Sequence, residues 1–124
     1  AIDGAVAGSH DVPVVFVASD DKGTSEARTF FQNVETVTTK NALGWNAAIS
    51  KHPQRAVAEI RAGAKAAAER LDEFAPFRFI EPLSFEIRYK RIEAAQTASR
   101  GLKAGERVDP YTVRWRLDSL ADYF

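Results

Sequence analysis

The hydrophobic pattern changes period along this chain, and each change predicts a different element. Val12 to Ala18 is a continuous apolar run ending at Ser19-Asp20-Asp21. A run apolar on both faces predicts a central strand in a parallel sheet whose two sides are covered by helices. Ahead of it, the small residues of Ala1 to Gly8 predict the tail of a helix, and His10-Asp11 a turn. Behind it, Gly23-Thr24-Ser25-Glu26 opens a helix, capped by Thr24 or Ser25 and buried at Phe30-Phe31. Val34 to Lys40 is mostly β-branched and predicts a second strand, while Asn41 to Ala48 predicts a loop or a loose helical turn. His52-Pro53 begins a long helix, with Pro suited to its first position. Val57, Ile60, Ala64, Ala67, Leu71 and Phe74 repeat at helical spacing along it, and Pro76 ends it.

The last third alternates instead. Leu83, Phe85, Ile87 and Tyr89 interleave with polar residues, as do Tyr111, Val113, Trp115 and Leu117. Period-two alternation predicts strands with one covered face. Between them, Arg91 to Arg100 predicts a short helix and Gly101 to Asp109 a turn. A helical tail is expected over Ser119 to Phe124. The expected class is α/β: a mixed sheet with helices on both faces, the first two strands parallel and the last two forming a half-exposed edge region.

Composition narrows function mainly by exclusion. The 124 residues carry 17 basic and 17 acidic side chains, so no basic footprint argues for nucleic acid or an anionic membrane. The longest apolar run is too short to span a bilayer, and no secretory pattern opens the chain, so a cytoplasmic setting is expected. Cysteine is absent, which removes thiol catalysis and Cys-based zinc sites. There is no methionine, and no strand precedes the first helix. The chain therefore reads as residues 1–124 of the C-terminal portion of a larger, three-layered α/β protein.

Few residues offer chemistry. His10 and His52 are far apart, outside any metal-binding spacing, and read as a turn residue and a helix cap. Asp20 and Asp21 stand at the carboxyl end of a strand, where open α/β sheets place ligands. Either could accept from a substrate amine or orient a metal-binding histidine, or one could simply cap the next helix. Lys40 ends the second strand on the same side, suited to a substrate carboxylate or an oxyanion, or to an ion pair with Asp20 or Asp21. Trp45, in a Gly-containing loop, either lines a pocket or plugs a core or an interface. No nucleophile elbow, P-loop or dinucleotide fingerprint is present, and Ala1 has no side-chain nucleophile.

The order of several short motifs carries more. Ala5-Val6-Ala7-Gly8, Val12-Pro13-Val14-Val15-Phe16-Val17 and Asp20-Asp21 resemble one segment of the zinc-dependent D-aminopeptidases of the dipeptide-operon type. Val34-Glu35-Thr36-Val37 with Lys40 resembles that family's next strand, and Leu43-Gly44 with Ala47-Ala48 its following segment. His52-Pro53, Pro76-Phe77-Arg78 with Pro82-Leu83, and Val108-Asp109 with Thr112-Val113 continue the resemblance in order. Asp3, Asp11 and Ala18-Ser19 depart from it; the family has Asn at the first of these positions and Gly at the second.

The resemblance implies a binuclear-zinc aminopeptidase or amidase acting on the N-terminal amide bonds of small peptides or aminoacyl amides. It places the zinc ligands and the catalytic residues upstream of Ala1, on an N-terminal segment or partner chain. Asp20, Asp21, Lys40 and Trp45 would then bind substrate or support the metal ligands from behind. It also implies a homo-oligomer of ring-like form and a processed or divided chain that is inactive alone. The competing expectation is a non-catalytic interaction module that keeps the scaffold without the metal. A nucleotide-binding domain ranks lower, for want of a phosphate-cradling glycine loop.

Overall fold

In a computed structural model describing residues 1–101 and 103–123, the chain divides into two compact units, Ala1–Arg78 and Phe79–Phe124. The first unit runs α1 (Ile2–Ser9), β1 (Phe16–Asp20), α2 (Asp21–Phe30), β2 (Glu35–Gly44), β3 (Ala47–Ser50) and α3 (Pro53–Ala68). Its sheet has the order β1-β2-β3, with β1 parallel to β2 and β3 antiparallel to it. The mixed sheet and the parallel first pair match the sequence-based expectation.

Helices cover both faces, and the strand alternation shows how. Thr24 of α2 shares a hydrogen bond with Thr38 at 2.9 Å, and Arg28 donates to Thr36, so α2 lies on the Thr36/Thr38 face of β2. Val37 points the other way, toward α3. A Cβ on Gly63 would meet the Phe16 ring at 2.8 Å and Val37 Cγ2 at 3.0 Å, so only a residue without a side chain lets α3 approach this closely.

That contact corrects the helix as read from sequence. The α-helix stops at Ala68 rather than reaching Phe74, and a single 3-10 turn, Leu71–Glu73, follows it. Its inward stripe is Ala56, Ile60, Gly63 and Ala67, continuing to Arg70 and Phe74, whereas Val57, Ala64 and Leu71 face outward. The buried face was set by small size at the crossing, which a hydrophobicity pattern does not register. Arg70 closes the end of the unit: it reaches Glu35 and Glu73 at 3.0 Å and lies over the Phe74 ring.

Other boundaries shift as well. Val12 to Val15 leads into β1 without joining its ladder as residues of the strand, which starts at Phe16 and extends to Asp20. Pro13 lacks the amide that a ladder position needs. Among the described residues β1 lies at a sheet edge, only partly buried, rather than in a central position. Asn41 to Ser50 is a β-hairpin and not a loop or helical turn. α1 is a helix as expected, and its small face admits close neighbours: a Cβ on Gly4 would strike the Phe31 ring, and one on Gly8 the backbone carbonyl of Phe77. Phe77 in turn packs edge-on against Phe30 and Phe31. Asp11, where the resembled family carries glycine, has φ 62°, a conformation that Asp tolerates better than most residues. Its carboxylate accepts from Arg78 at 2.5 Å, which holds the turn.

The second unit contains β4 (Leu83–Arg88), α4 (Ile92–Ala98), β5 (Glu106–Asp109), β6 (Thr112–Leu117) and a 3-10 turn, Leu120–Tyr123. Its antiparallel sheet has the order β4-β6-β5. β6 is therefore the central strand and not an edge, and the expected turn after Gly101 contains β5. Leu102, within that turn, and Phe124, at the end of the expected tail, lie outside the described residues. Ala95, Val113 and Trp115 form the core, flanked by Phe85, Ile87 and Leu117. Trp115 stacks on Phe85 with centroids 5.2 Å apart, and its Nε1 donates to Lys103 O at 2.8 Å. Asp109 turns the β5–β6 hairpin by accepting from Tyr111 N at 2.7 Å and Thr112 Oγ1 at 2.9 Å. No helix among the described residues is long and apolar enough to cross a membrane.

Candidate functional site

Asp20, Asp21 and Lys40 lie where β1 ends and β2 continues into the hairpin, and Trp45 lies in the hairpin's turn. Asp20 is the N-cap of α2, and its Oδ1 accepts from Gly23 N at 2.7 Å. This is the capping alternative of the sequence reading, and it satisfies one of the otherwise unpaired amides of the first helical turn. Gly23 permits the geometry, since a Cβ there would lie 2.4 Å from Ser19 Oγ.

Asp21 reaches across to the hairpin. Its Oδ1 accepts from Ala42 N at 2.7 Å, and Lys22 Nζ lies 3.5 Å from its Oδ2. The Ala42 amide holds the Asp21 carboxyl below its ordinary pKa of 3.8, with the Lys22 charge acting in the same direction. The carboxylate is thus engaged with backbone at the root of the β2–β3 arm.

Lys40 pairs in register with Asp20 on one side and with Ser50 on the other. The ladder shifts just before it, between Ser19 and Asp20, leaving Thr39 as the additional residue of β2; Thr39 Oγ1 donates to Ser19 O at 3.1 Å. Bulges of this kind re-aim the next side chain. Lys40 is exposed, and among the described residues it makes no ion pair with Asp20 or Asp21. Trp45 lies further out, in the two-residue turn of the arm, 84% exposed. The structure therefore gathers Asp20, Asp21 and Lys40 at one strand end and sets Trp45 apart at the arm's tip.

His10 and His52 sit at the C-cap of α1 and the N-cap of α3, the boundary positions expected of them. Among the described residues, no group of three or more His, Cys, Asp or Glu side chains could hold a metal. The donor set of this segment does not fit a zinc centre. Neither Thr24 nor Ser25 caps α2, because the helix begins at Asp21; Thr24 is instead almost fully buried between Asp20 O and Thr38, and sequence reasoning missed Thr39 at the bulge. It also missed the root of β3, where Lys51 and Arg55 both bond Glu59. The i,i+4 spacing of Arg55 and Glu59 was the one visible signal for it.

The profile of the D-aminopeptidase peptidases matches residues 1–124. The chain belongs to the D-aminopeptidase family. No curated protein sequence matches it. Among solved structures it is similar to the Zn-dependent D-aminopeptidase DppA from Bacillus subtilis, described as a self-compartmentalizing protease. The TM-score is 0.85 at 23% sequence identity, over 96% of this chain and 43% of DppA. The likeness establishes a shared fold, and the chain spans less than half the length of that neighbour.

Proposed function

We propose that this chain is the C-terminal part of a peptidase that releases N-terminal residues from small peptides or aminoacyl amides. The observation that carries the reading is the family match across all 124 residues. The description of DppA as zinc-dependent supports a zinc enzyme, and zinc would polarise the scissile carbonyl when bound. Because no donor cluster lies among the described residues, the metal would be held by a segment outside this chain. The contribution of this chain is then to bind and orient. Lys40, exposed beside the Thr39 bulge, supplies a cation for a substrate carboxylate at the strand's carboxyl end. Asp20 and Asp21 hold that strand end and the hairpin root in place through Gly23 and Ala42. The description of DppA as self-compartmentalizing supports assembly with further copies.

The test is hydrolysis of D- and L-aminoacyl anilides and dipeptides by the zinc-loaded protein, alone and joined to a segment carrying metal ligands. Absence of turnover on both stereochemical series would sink the reading. For Lys40→Ala, KM for free dipeptides should rise about tenfold with little change for anilides, which lack the carboxylate. Equal effects on both would remove Lys40 from substrate binding.

A further inference from the structure

Positive charge gathers where the second unit's sheet ends at the β5–β6 turn. Arg88, Lys90 and Arg91 follow one another closely along the chain, and Arg107 reaches the same turn by donating to Pro110 O at 2.8 Å. The chain as a whole balances 17 basic against 17 acidic residues, so this excess is local. Asp109, the only acidic residue from Arg107 to Thr112, is already engaged. Its Oδ1 accepts from Tyr111 N, and its Oδ2 from Thr112 Oγ1 and from Arg88 Nη1 at 3.2 Å. A cleft of about 320 Å³ opens there, lined by Arg88, Tyr89, Lys90 and Tyr111. Among the described residues no carboxylate lines it. Its walls are held in place. Tyr89 N donates to Tyr111 O at 2.8 Å, and the Arg88 guanidinium lies over the Tyr111 ring, 5.5 Å from its centroid. Arg88 bonds Asp109 and Thr112 through Nη1 alone, so among the described residues its Nε and Nη2 carry no bond.

We propose that this cleft binds a small organic anion, its carboxylate or phosphate group on Arg88 and Lys90 and a planar apolar body against Tyr111. A guanidinium fork matches the paired oxygens of either group, and the lysine ammonium adds a second charge from the same side. Exposed charge pairs alone contribute little. Here Arg88 is already fixed by Asp109, Thr112 and the Tyr111 ring, so less side-chain entropy is lost when a ligand arrives. The aromatic face covers one side of the ligand and favours an aromatic anion over an inorganic one. A polyanion such as nucleic acid demands a long run of cations, and this patch occupies a single turn of a chain with no net charge. A cleft of this volume is at the lower end of small-molecule sites. The inference is independent of the peptidase reading, because it concerns binding in the second unit and not turnover.

The experiment is a titration of the protein with benzoate, phenyl phosphate and the neutral benzamide, followed by the amide NMR signals of Tyr111 and Thr112. At least one anion should saturate these signals with a dissociation constant of about 1 mM or tighter at low salt. Binding should weaken as ionic strength rises, and benzamide should not bind. Preference between the two anions tells a carboxylate ligand from a phosphate one, and either preference supports the site. Arg88→Gln should weaken binding about tenfold or more. Because that change also removes the pair with Asp109, Lys90→Gln provides a second variant that leaves the Asp109 contacts intact, and it should weaken binding about threefold. Circular dichroism checks that both variants fold. No saturable shift with either anion, equal binding of benzamide, or undiminished binding in both folded variants overturns the proposal. Any of these results leaves the peptidase reading standing, since none of them depends on hydrolysis.

Discussion

The two tryptophans of this chain have opposite fates. Trp115 sits in the central strand of an antiparallel sheet, 6% exposed, stacked on Phe85 with its indole N–H satisfied by Lys103 O. Trp45 stands at the tip of an uncharged arm, 84% exposed. Period-two alternation brought Trp115 inward together with Val113 and Leu117, because a strand with one covered face sends every second residue to the core. Trp45 has no such pattern around it. Its neighbours Leu43, Gly44, Asn46 and Ala47 are all exposed, so no alternation sends one side of the ribbon to a core.

The sharpest way to break the comparison is to truncate both. Trp115→Ala should destabilise the second unit by about 3–5 kcal/mol, through lost burial and the cavity left beside Phe85 and Val113. Against the total stability of a small domain, that removes a large share. Trp45→Ala should change folding stability by no more than about 0.5 kcal/mol. Urea titrations of the two variants followed by far-UV circular dichroism provide the check. Equal losses would mean that the arm belongs to the core of the fold.

The same contrast explains what the sequence made legible. The α/β class, the parallel β1–β2 pair and the alternating strands of the second unit were readable, because each rests on a repeat visible within a few residues. The inward face of α3 was readable only in part: Ile60, Ala67 and Phe74 turn inward as expected, whereas Gly63 faces the sheet for its lack of a side chain and not for hydrophobicity. The β2–β3 hairpin was hidden because Trp45-Asn46 is not a recognised hairpin turn pair and the strands do not alternate. Of the candidate site, the location at the strand end was legible from the Asp20-Asp21 and Lys40 positions. What each carboxylate bonds was not, because the Ala42 amide is brought in by the hairpin. Gly63→Val probes the first of these gaps. It should cost about 1–3 kcal/mol by forcing Phe16 and Val37 apart, outweighing the few tenths gained in helix propensity. A stabilised variant would show that the sheet yields freely to α3.

The smallest expected effect concerns the join between the covered sheet and the uncovered arm. With the folded pKa of Asp21 below its ordinary 3.8, the unfolded chain binds the proton more readily over the interval between the two values. Stability from this group is therefore complete above about pH 5, is falling where an unfolded Asp titrates near pH 4, and is lost as pH falls through the folded pKa. Asp21→Asn keeps an oxygen able to accept from Ala42 N but removes the charge. The variant should be slightly less stable than the wild type at neutral pH and lose less on acidification, the two converging below the folded pKa. Hydrogen exchange of the Ala42 amide reads the same contact locally: in the wild type its protection should fall on acidification through that range, and in the variant it should not. An arm whose exchange is insensitive to Asp21 at every pH would be held by its ladder alone, and the rigid root on which its exposed tip depends would have to be sought at Lys51 and Glu59.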